Sequence, residues 1–256
     1  HPFSFSAIVN GYDPERFSES GWSVIDRYLR EADDSEDGLD GMQVTHAWTQ
    51  DPAVTDRLCH SCRIPESVDG LEEMAERVDA VIIARDDWER HLEMAKLFLD
   101  RGIPTFVDKP LSLEPNELRV LRPHVEKGLL MSCSGMRFAR ELDDVRGALD
   151  SYGELRLVRG AIVLGWEKYG VHMLDAAWGI RPLRPASVTA LPAEHASMAV
   201  ELAGGGLLQV DALGETPPVF RLDLFGTERA SSHDITDNYR MFRRLLVRFR
   251  SMAEDP

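Results

Sequence analysis

The sequence predicts an α/β protein: a doubly wound parallel sheet, followed by an α+β domain with an open, mostly antiparallel sheet. Three observations predict it. Up to residue 134, short apolar runs of strand length alternate with segments of helical periodicity, the pattern of βα units stacked on one parallel sheet. Beyond about residue 151 the runs lengthen, alternate and follow one another with one helix among them, which suits a sheet with one face on a core and one face open. A chain of 256 residues is long enough for two such cores. The change of pattern divides it into 1–134 and 135–256.

Residues 2–10 have the apolar content and length of a first helix. The stretch 43–50 reads as a strand, and Asp51-Pro52 supplies an N-cap and first-turn pair for a helix reaching Cys62. DAVIIA, residues 79–84, is a short continuous apolar run, as expected of a strand covered on both faces. Asp86 or Asp87 caps the next helix, in which Leu92, Ala95 and Leu99 share a face before Gly102 stops it. Residues 104–107 form another buried strand that ends in Asp108-Lys109-Pro110. A helix carrying Leu118, Leu121 and Val125 follows, then Gly128 and a strand over 129–134. In the second half, strands are expected at 155–164, 186–191, 196–202, 206–213 and 220–225, with Gly204-Gly205 as a hairpin and one helix over 169–179. Met241, Leu245, Leu246 and Phe249 share a face, which predicts a packed helix with a basic outer surface over 239–250.

A formal net charge of -15 argues against a nucleic-acid surface, which needs a clustered positive field. No run of about 18 apolar residues is present, so no membrane span is expected. The acidic stretch 31–40 lacks any apolar period and reads as a solvated loop. Three cysteines are too few for a disulfide framework, and no secretory signal is visible, which points to a reducing cytoplasm. Cys59 and Cys62 form a C-x-x-C near a helix end, but no second pair follows at zinc spacing. They read as helix cysteines, and no metal site is expected.

The most informative stretch is 78–110, VDAVIIARDDWERHLEMAKLFLDRGIPTFVDKP. A lysine directly after a buried parallel strand, fixed by a following proline, lies at the carboxyl edge of the sheet, where open α/β folds bind ligands. The Lys109 ammonium can bond a substrate oxygen and stabilise negative charge developing there; its alternative is a surface pair with Asp108. His172 sits on the one helix of the strand-rich half. Its imidazole titrates near neutrality, as acid–base work requires, although such a histidine also serves plain packing. Asp175, one turn later, either orients His172 or caps a packing contact.

The order Asp79-Ala80-Val81, His91, Gly102, Asp108-Lys109-Pro110 resembles the Gfo/Idh/MocA oxidoreductases, the glucose-fructose oxidoreductase and inositol dehydrogenase family. The resemblance continues through Gly135, Arg137 and Phe138 and through Tyr169-Gly170-Val171-His172, and covers most of the chain. It implies a Rossmann-type dinucleotide-binding domain over 1–134 and a substrate-binding and oligomerisation domain over 135–256. It implies that Lys109 touches both nicotinamide and substrate and that His172 is the substrate-binding acid–base residue, with Lys168, Tyr169 and Asp175 beside it. NAD or NADP as cofactor, a sugar, cyclitol or related polyol as substrate, and a homodimer or homotetramer through the C-terminal sheet follow from the same resemblance.

The sequence departs from the family in three places. Where the family has Glu-Lys-Pro, this chain has Asp108-Lys109-Pro110, one carbon shorter with the same charge. Family dehydrogenases commonly carry an Asp four residues before the histidine; here that position is Lys168, which lowers the histidine's proton affinity if the two are close. No G-x-G-x-x-G is present to cradle a pyrophosphate at a helix N-terminus. The expectation is that residues 2–10 form the helix that normally follows that turn, with the first strand upstream of His1 and a further helix beyond Pro256.

Among cofactor candidates, Thr49, Gln50 and Asp51 follow the second strand of the family pattern, where a side chain meets the adenosine ribose. Asp51 there favours NAD, or is only the N-cap of the next helix. Arg85 and Asp86 end the strand at 79–84 and line the dinucleotide crevice, or form an exposed turn; Asp108, Lys109 and Pro110 complete the set. His91 reads as structural. The functional expectation is hydride transfer between nicotinamide and a secondary alcohol, Lys109 neutralising the reacting oxygen and His172 taking the proton. A redox-inactive ligand-binding or assembly subunit is the alternative, and a lyase or epimerase using bound NAD transiently is a third reading.

Overall fold

The structure, a computed structural model, describes residues 1–32 and 38–255; the acidic stretch expected as a loop at 31–40 lies partly outside them. The chain divides into two compact units, His1–Cys133 with Phe242–Pro256, and Ser134–Met241.

The first unit runs α1 (Pro2–Asn10), α2 (Pro14–Ser18), α3 (Ser23–Arg30), β1 (His46–Ala47), α4 (Pro52–Ser61), β2 (Glu66–Ser67), α5 (Leu71–Ala75), β3 (Val81–Ile83), α6 (His91–Leu99), β4 (Thr105–Val107), α7 (Pro115–Glu126) and β5 (Leu130–Met131). Strands β3, β4 and β5 form a parallel sheet in that order, and β1 pairs in parallel with β2. The fully buried β4 sits in the middle of its sheet, which is why its three residues need no polar side of their own. Ile83, Val107 and Leu130 from these strands pack with Ala95, Phe98 and Leu121 from α6 and α7.

Local chemistry trims the expected elements. The strand expected at 43–50 shrinks to His46–Ala47. The backbone of Val44 is bonded on both sides by the Asn10 amide, at 2.9 and 2.8 Å, and the Thr49 N–H donates to the Thr55 hydroxyl at 3.0 Å, so neither residue joins the ladder. Asp51 caps α4 through Ala53 N–H at 2.9 Å. Asp87, expected as a cap, instead pairs with Arg85, and a 3-10 turn over Trp88–Arg90 begins the helix. Leu121 alone of the three apolar residues picked out on α7 is buried; Leu118 and Val125 face solvent.

The second unit carries α8 (Asp143–Gly147), β6 (Leu155–Ile162), α9 (Val171–Ile180), β7 (Pro185–Ala190), β8 (Ala196–Leu202), β9 (Leu207–Ala212), β10 (Phe220–Gly226) and β11 (Ala230–Asp234). The six strands form one sheet in the order β11-β10-β6-β9-β8-β7, antiparallel except for the β6–β9 pair. β11, absent from the sequence reading, is a polar edge strand, ASSHD, with no apolar alternation to reveal it. The hairpin between β8 and β9 turns on Gly205 and Gly206, both with positive φ, one residue later than expected.

α9 lies against β6 because Gly160 has no side chain: a Cβ there would stand 2.7 Å from Cβ of Met173. Gly179 does the same at the other end of the helix, where a Cβ would stand 2.3 Å from the Arg137 carbonyl oxygen. The last helix, α10 (Asn238–Glu254), belongs to both units. From Phe242 onward it groups with the first, Phe242 meeting Phe5 and Phe249 meeting Phe106 edge-on or tilted, with ring centroids 5.6 and 5.9 Å apart. No described helix is long and apolar enough to cross a membrane.

Candidate functional site

In the first unit, the candidate residues gather at the carboxyl ends of the parallel strands. Asp108 directly follows β4, and its N–H donates to the Ile83 carbonyl at 2.9 Å, carrying the ladder one step past the strand ends. Its Oδ1 accepts the Lys109 N–H at 2.9 Å. Lys109 is half-buried, Pro110 is buried, and the bond joining them is cis. His91, completely buried, ties this loop down. Its Nδ1 lies 3.0 Å from the Pro110 carbonyl and 3.1 Å from that of Leu111, and its Nε2 lies 3.2 Å from the Arg85 carbonyl. This histidine clamps the ends of β3 and β4 and is fully occupied in doing so.

Arg85 donates from Nε to Asp87 Oδ1 at 2.6 Å and from Nη2 to Oδ2. That hydrogen-bonded pair holds the Asp87 carboxyl below the usual carboxylate range. Asp86 is exposed beside it. A cavity of about 690 Å³, within the range of small-molecule sites, brings Arg85 together with Thr49 and Gln50 but excludes Asp51, Asp86, Asp108, Lys109 and Pro110 from its lining. Its lining includes residues of β1 and β3 together with Phe98 and Phe249. Thr49 and Gln50 suit a ribose end of a dinucleotide; the glycine-rich turn that would hold its pyrophosphate is not in the chain.

In the second unit, four residues converge. Ser134 precedes a 3-10 turn over Gly135–Phe138 and caps it, its Oγ accepting the Met136 N–H at 3.1 Å. The same Oγ lies 2.6 Å from Nδ1 of His172. The Ser134 N–H donates to Oδ2 of Asp175 at 2.5 Å. Oδ1 of Asp175 accepts from Arg137, Nε at 3.0 Å and Nη2 as well. Asp175, 8% exposed, thus binds the 134–138 turn onto α9. Its contacts with the Ser134 N–H and the Arg137 guanidinium are those of a packing clamp, and Ser134 is a partner of the His172 ring.

Tyr169 meets His172 edge to face, with ring centroids 5.5 Å apart and an angle of 62°. It belongs, with the exposed Lys168, to a wide π-type turn over Trp166–Gly170 that leads into α9. The turn is launched by Leu164, in the left-handed region at φ 62° and bonded to the Gly214 carbonyl at 2.7 Å. Neither Ser134 nor its bond to His172 was singled out from sequence. A serine followed by glycine at a strand end is a cap signal, but nothing local shows which distant ring it meets.

Residues 21–131 match the family described as "Oxidoreductase family, NAD-binding Rossmann fold", GFO_IDH_MocA. A protein of Amycolatopsis mediterranei, named as a UDP-kanosamine synthase oxidoreductase subunit, is 30% identical over 125 residues, 48% of this chain; the match spans only 34% of that relative's length. Among solved structures, myo-inositol 2-dehydrogenase from Lactobacillus plantarum superposes with a TM-score of 0.74 at 13% identity, over 90% of this chain and 86% of that one. Scyllo-inositol dehydrogenase from Lactobacillus casei gives 0.69 at 14%, over 84% and 80%. UDP-N-acetylglucosamine 3-dehydrogenase from Acidithiobacillus ferrooxidans gives 0.67 at 17%, over 79% and 78%. At such identities these structures show a shared fold.

Proposed function

We propose that the chain is a Gfo/Idh/MocA oxidoreductase, the family that residues 21–131 match, and that it transfers hydride between NAD or NADP and a secondary alcohol or ketone of a sugar, cyclitol or related polyol. The observation that carries the reading is Lys109, held at the carboxyl end of a buried parallel strand by the His91 clamp, where open α/β sheets place their ligands. Its ammonium binds the reacting oxygen and offsets the charge that develops on it. His172 exchanges the proton with that oxygen, and Tyr169, Lys168 and Asp175 shape the substrate side. Thr49, Gln50 and Arg85 hold the adenosine end of the cofactor, with Asp51, Asp86, Asp108 and Pro110 flanking. The nicotinamide, when bound, supplies or accepts the hydride.

The substrate is a small hydroxylated ring, since the named relatives act on inositols and UDP-linked amino sugars. We place the protein in a reducing cytoplasm, in keeping with its three free thiols. We assign its assembly into dimers or tetramers to the outer face of the six-stranded sheet. There Phe225, Leu157 and Leu207 lie side by side across β10, β6 and β9, on the face away from α9, and Phe225 is exposed. A redox-inactive binding subunit is the second reading, favoured by Lys168 at the position where family dehydrogenases carry Asp.

Calorimetric titration of NAD(H) and NADP(H) into the purified protein separates the two. Binding of one cofactor, followed by polyol-dependent reduction that His172→Ala abolishes without loss of folding, supports the oxidoreductase. Binding of neither overturns it in favour of the binding subunit.

A further inference from the structure

We infer that Ser134 is a positioning residue for His172: its hydroxyl donates to Nδ1, holds the neutral imidazole as the Nε2–H tautomer, and so presents the substrate oxygen with a hydrogen-bond donor rather than a base. The inference rests on an inventory of one hydroxyl. A serine Oγ has one hydrogen to give and two lone pairs to fill. Ser134 is 1% exposed, so its hydrogen needs a protein acceptor. One lone pair takes the Met136 N–H at 3.1 Å. Among the described residues, the acceptor that Oγ reaches is His172 Nδ1, at 2.6 Å.

In the opposite arrangement Nδ1–H donates, Oγ receives two incoming donors, and the serine hydrogen is left buried without a partner. Stranding a buried donor shifts the balance between the two tautomers by about tenfold or more toward Nε2–H. Ser134 has little freedom to escape this choice. Its N–H is bonded to Asp175, which is itself held by Arg137, so backbone and ring meet in a fixed geometry.

The chemical consequence is a preference for an oxygen with lone pairs and no hydrogen of its own. For the proposed oxidoreductase, on which this consequence rests, that is the ketone rather than the alcohol. Nε2 can accept a proton from an alcohol only after the ring exchanges its proton to Nδ1 and the Ser134 hydroxyl turns away. Ser134 therefore contributes chiefly to ketone binding, and the alcohol gains little from it.

The test uses the full chain labelled with 15N-histidine, read by long-range 1H–15N correlation, in the wild type, Ser134→Ala and Ser134→Thr. The expected result is that neutral His172 carries its proton on Nε2. In Ser134→Ala, Nδ1 loses a donor that stabilised the neutral ring, so the His172 titration midpoint rises, and Ser134→Thr restores it. Glu167 and Lys168, close in sequence, and Tyr169, Arg137 and Asp175, in the same contact cluster, are identical in all three proteins and cancel in the comparison. In turnover, Ser134→Ala raises KM for the ketone about tenfold at a nearly unchanged kcat and, because the equilibrium constant is fixed, lowers kcat for alcohol oxidation by the same factor while the alcohol's KM changes less than twofold.

A wild-type His172 protonated on Nδ1, or a midpoint that falls in Ser134→Ala, overturns the inference even if the enzyme is active. If no nicotinamide-dependent turnover is found, the oxidoreductase reading fails, and the tautomer and the direction of the midpoint shift still decide the role of Ser134.

Discussion

Replacing Asp175 by Asn tests whether the clamp on α9 depends on charge or only on shape. Both carboxylate oxygens are committed, Oδ2 to the Ser134 N–H at 2.5 Å and Oδ1 to the Arg137 guanidinium. An asparagine fills the same volume but has one acceptor, and its NH2 must face either a buried N–H or a guanidinium, donor against donor. The cheaper choice keeps the carbonyl on Ser134 and turns the NH2 toward Arg137, whose side chain is 39% exposed and can move into water. What is lost is one charge-assisted, partly screened interaction, about 1.5–2 kcal/mol. For a chain of this size that corresponds to a fall in Tm of roughly 3–8 °C. Differential scanning calorimetry reads it directly, and Arg137→Ala should cost a similar amount, with the double variant costing little more than either alone. A Tm within 1 °C of wild type for Asp175→Asn, or full additivity of the two substitutions, would refute the reasoning.

Three other outcomes follow from the geometry. Gly179→Ala places a Cβ 2.3 Å from the Arg137 carbonyl oxygen and should destabilise by about 1–3 kcal/mol although alanine is the better helix former. Gly147→Ala in α8, with nothing within 4 Å of the new Cβ, should be neutral or stabilising by up to about 1 kcal/mol, and paired melting curves compare the two. Burial pushes the Cys62 thiol up to about 12, and the Cys59 thiol up as well. Mass-resolved alkylation at pH 8 should therefore leave Cys62 untouched in the native protein while half-buried Cys59 reacts slowly; equal rates would contradict the packing of Cys62 under Phe3.

Asp211, 2% exposed, is pushed up by burial, but hydrogen bonds from Ser197, Gln209, Arg159 and His195 outweigh that and hold it below the ordinary carboxylate range. A depressed folded value means that its stabilisation is complete above the unfolded value of roughly 4 and is lost as pH falls through the folded one. The Tm deficit of Asp211→Asn should accordingly be largest at neutral pH and shrink below about pH 4. A deficit that stays constant or grows on acidification would reverse the sign.

Much of the fold was legible because its signals are local. The apolar run at 79–84, the Asp51 cap and the stop at Gly102 each depend on residues a few positions apart, and β3, α4 and α6 appear where those patterns place them. The closing helix was legible as a helix, yet periodicity cannot say what its apolar face meets. Phe242 and Phe249 pack on the first unit, so the residues assigned by sequence to one domain, 135–256, are shared between two compact units. Strand β11 was hidden because an edge strand facing solvent has no apolar period to display.

The candidate site divides the same way. Lys109 was singled out from sequence as a candidate because its position after a buried strand and before a proline is a one-dimensional fact, and His172 because it sits on the single helix among strands. What the sequence determined by itself was therefore the succession of elements and the residue types at their ends, since hydrogen bonding and side-chain periodicity within an element are written in its own few residues. Tertiary structure alone decided that Ser134 meets a ring 38 residues away and that Asp175 clamps a turn 41 residues before it. Those contacts exist because Gly160 and Gly179 let α9 settle against the sheet and the turn, and close packing between distant segments leaves no periodic trace in either of them.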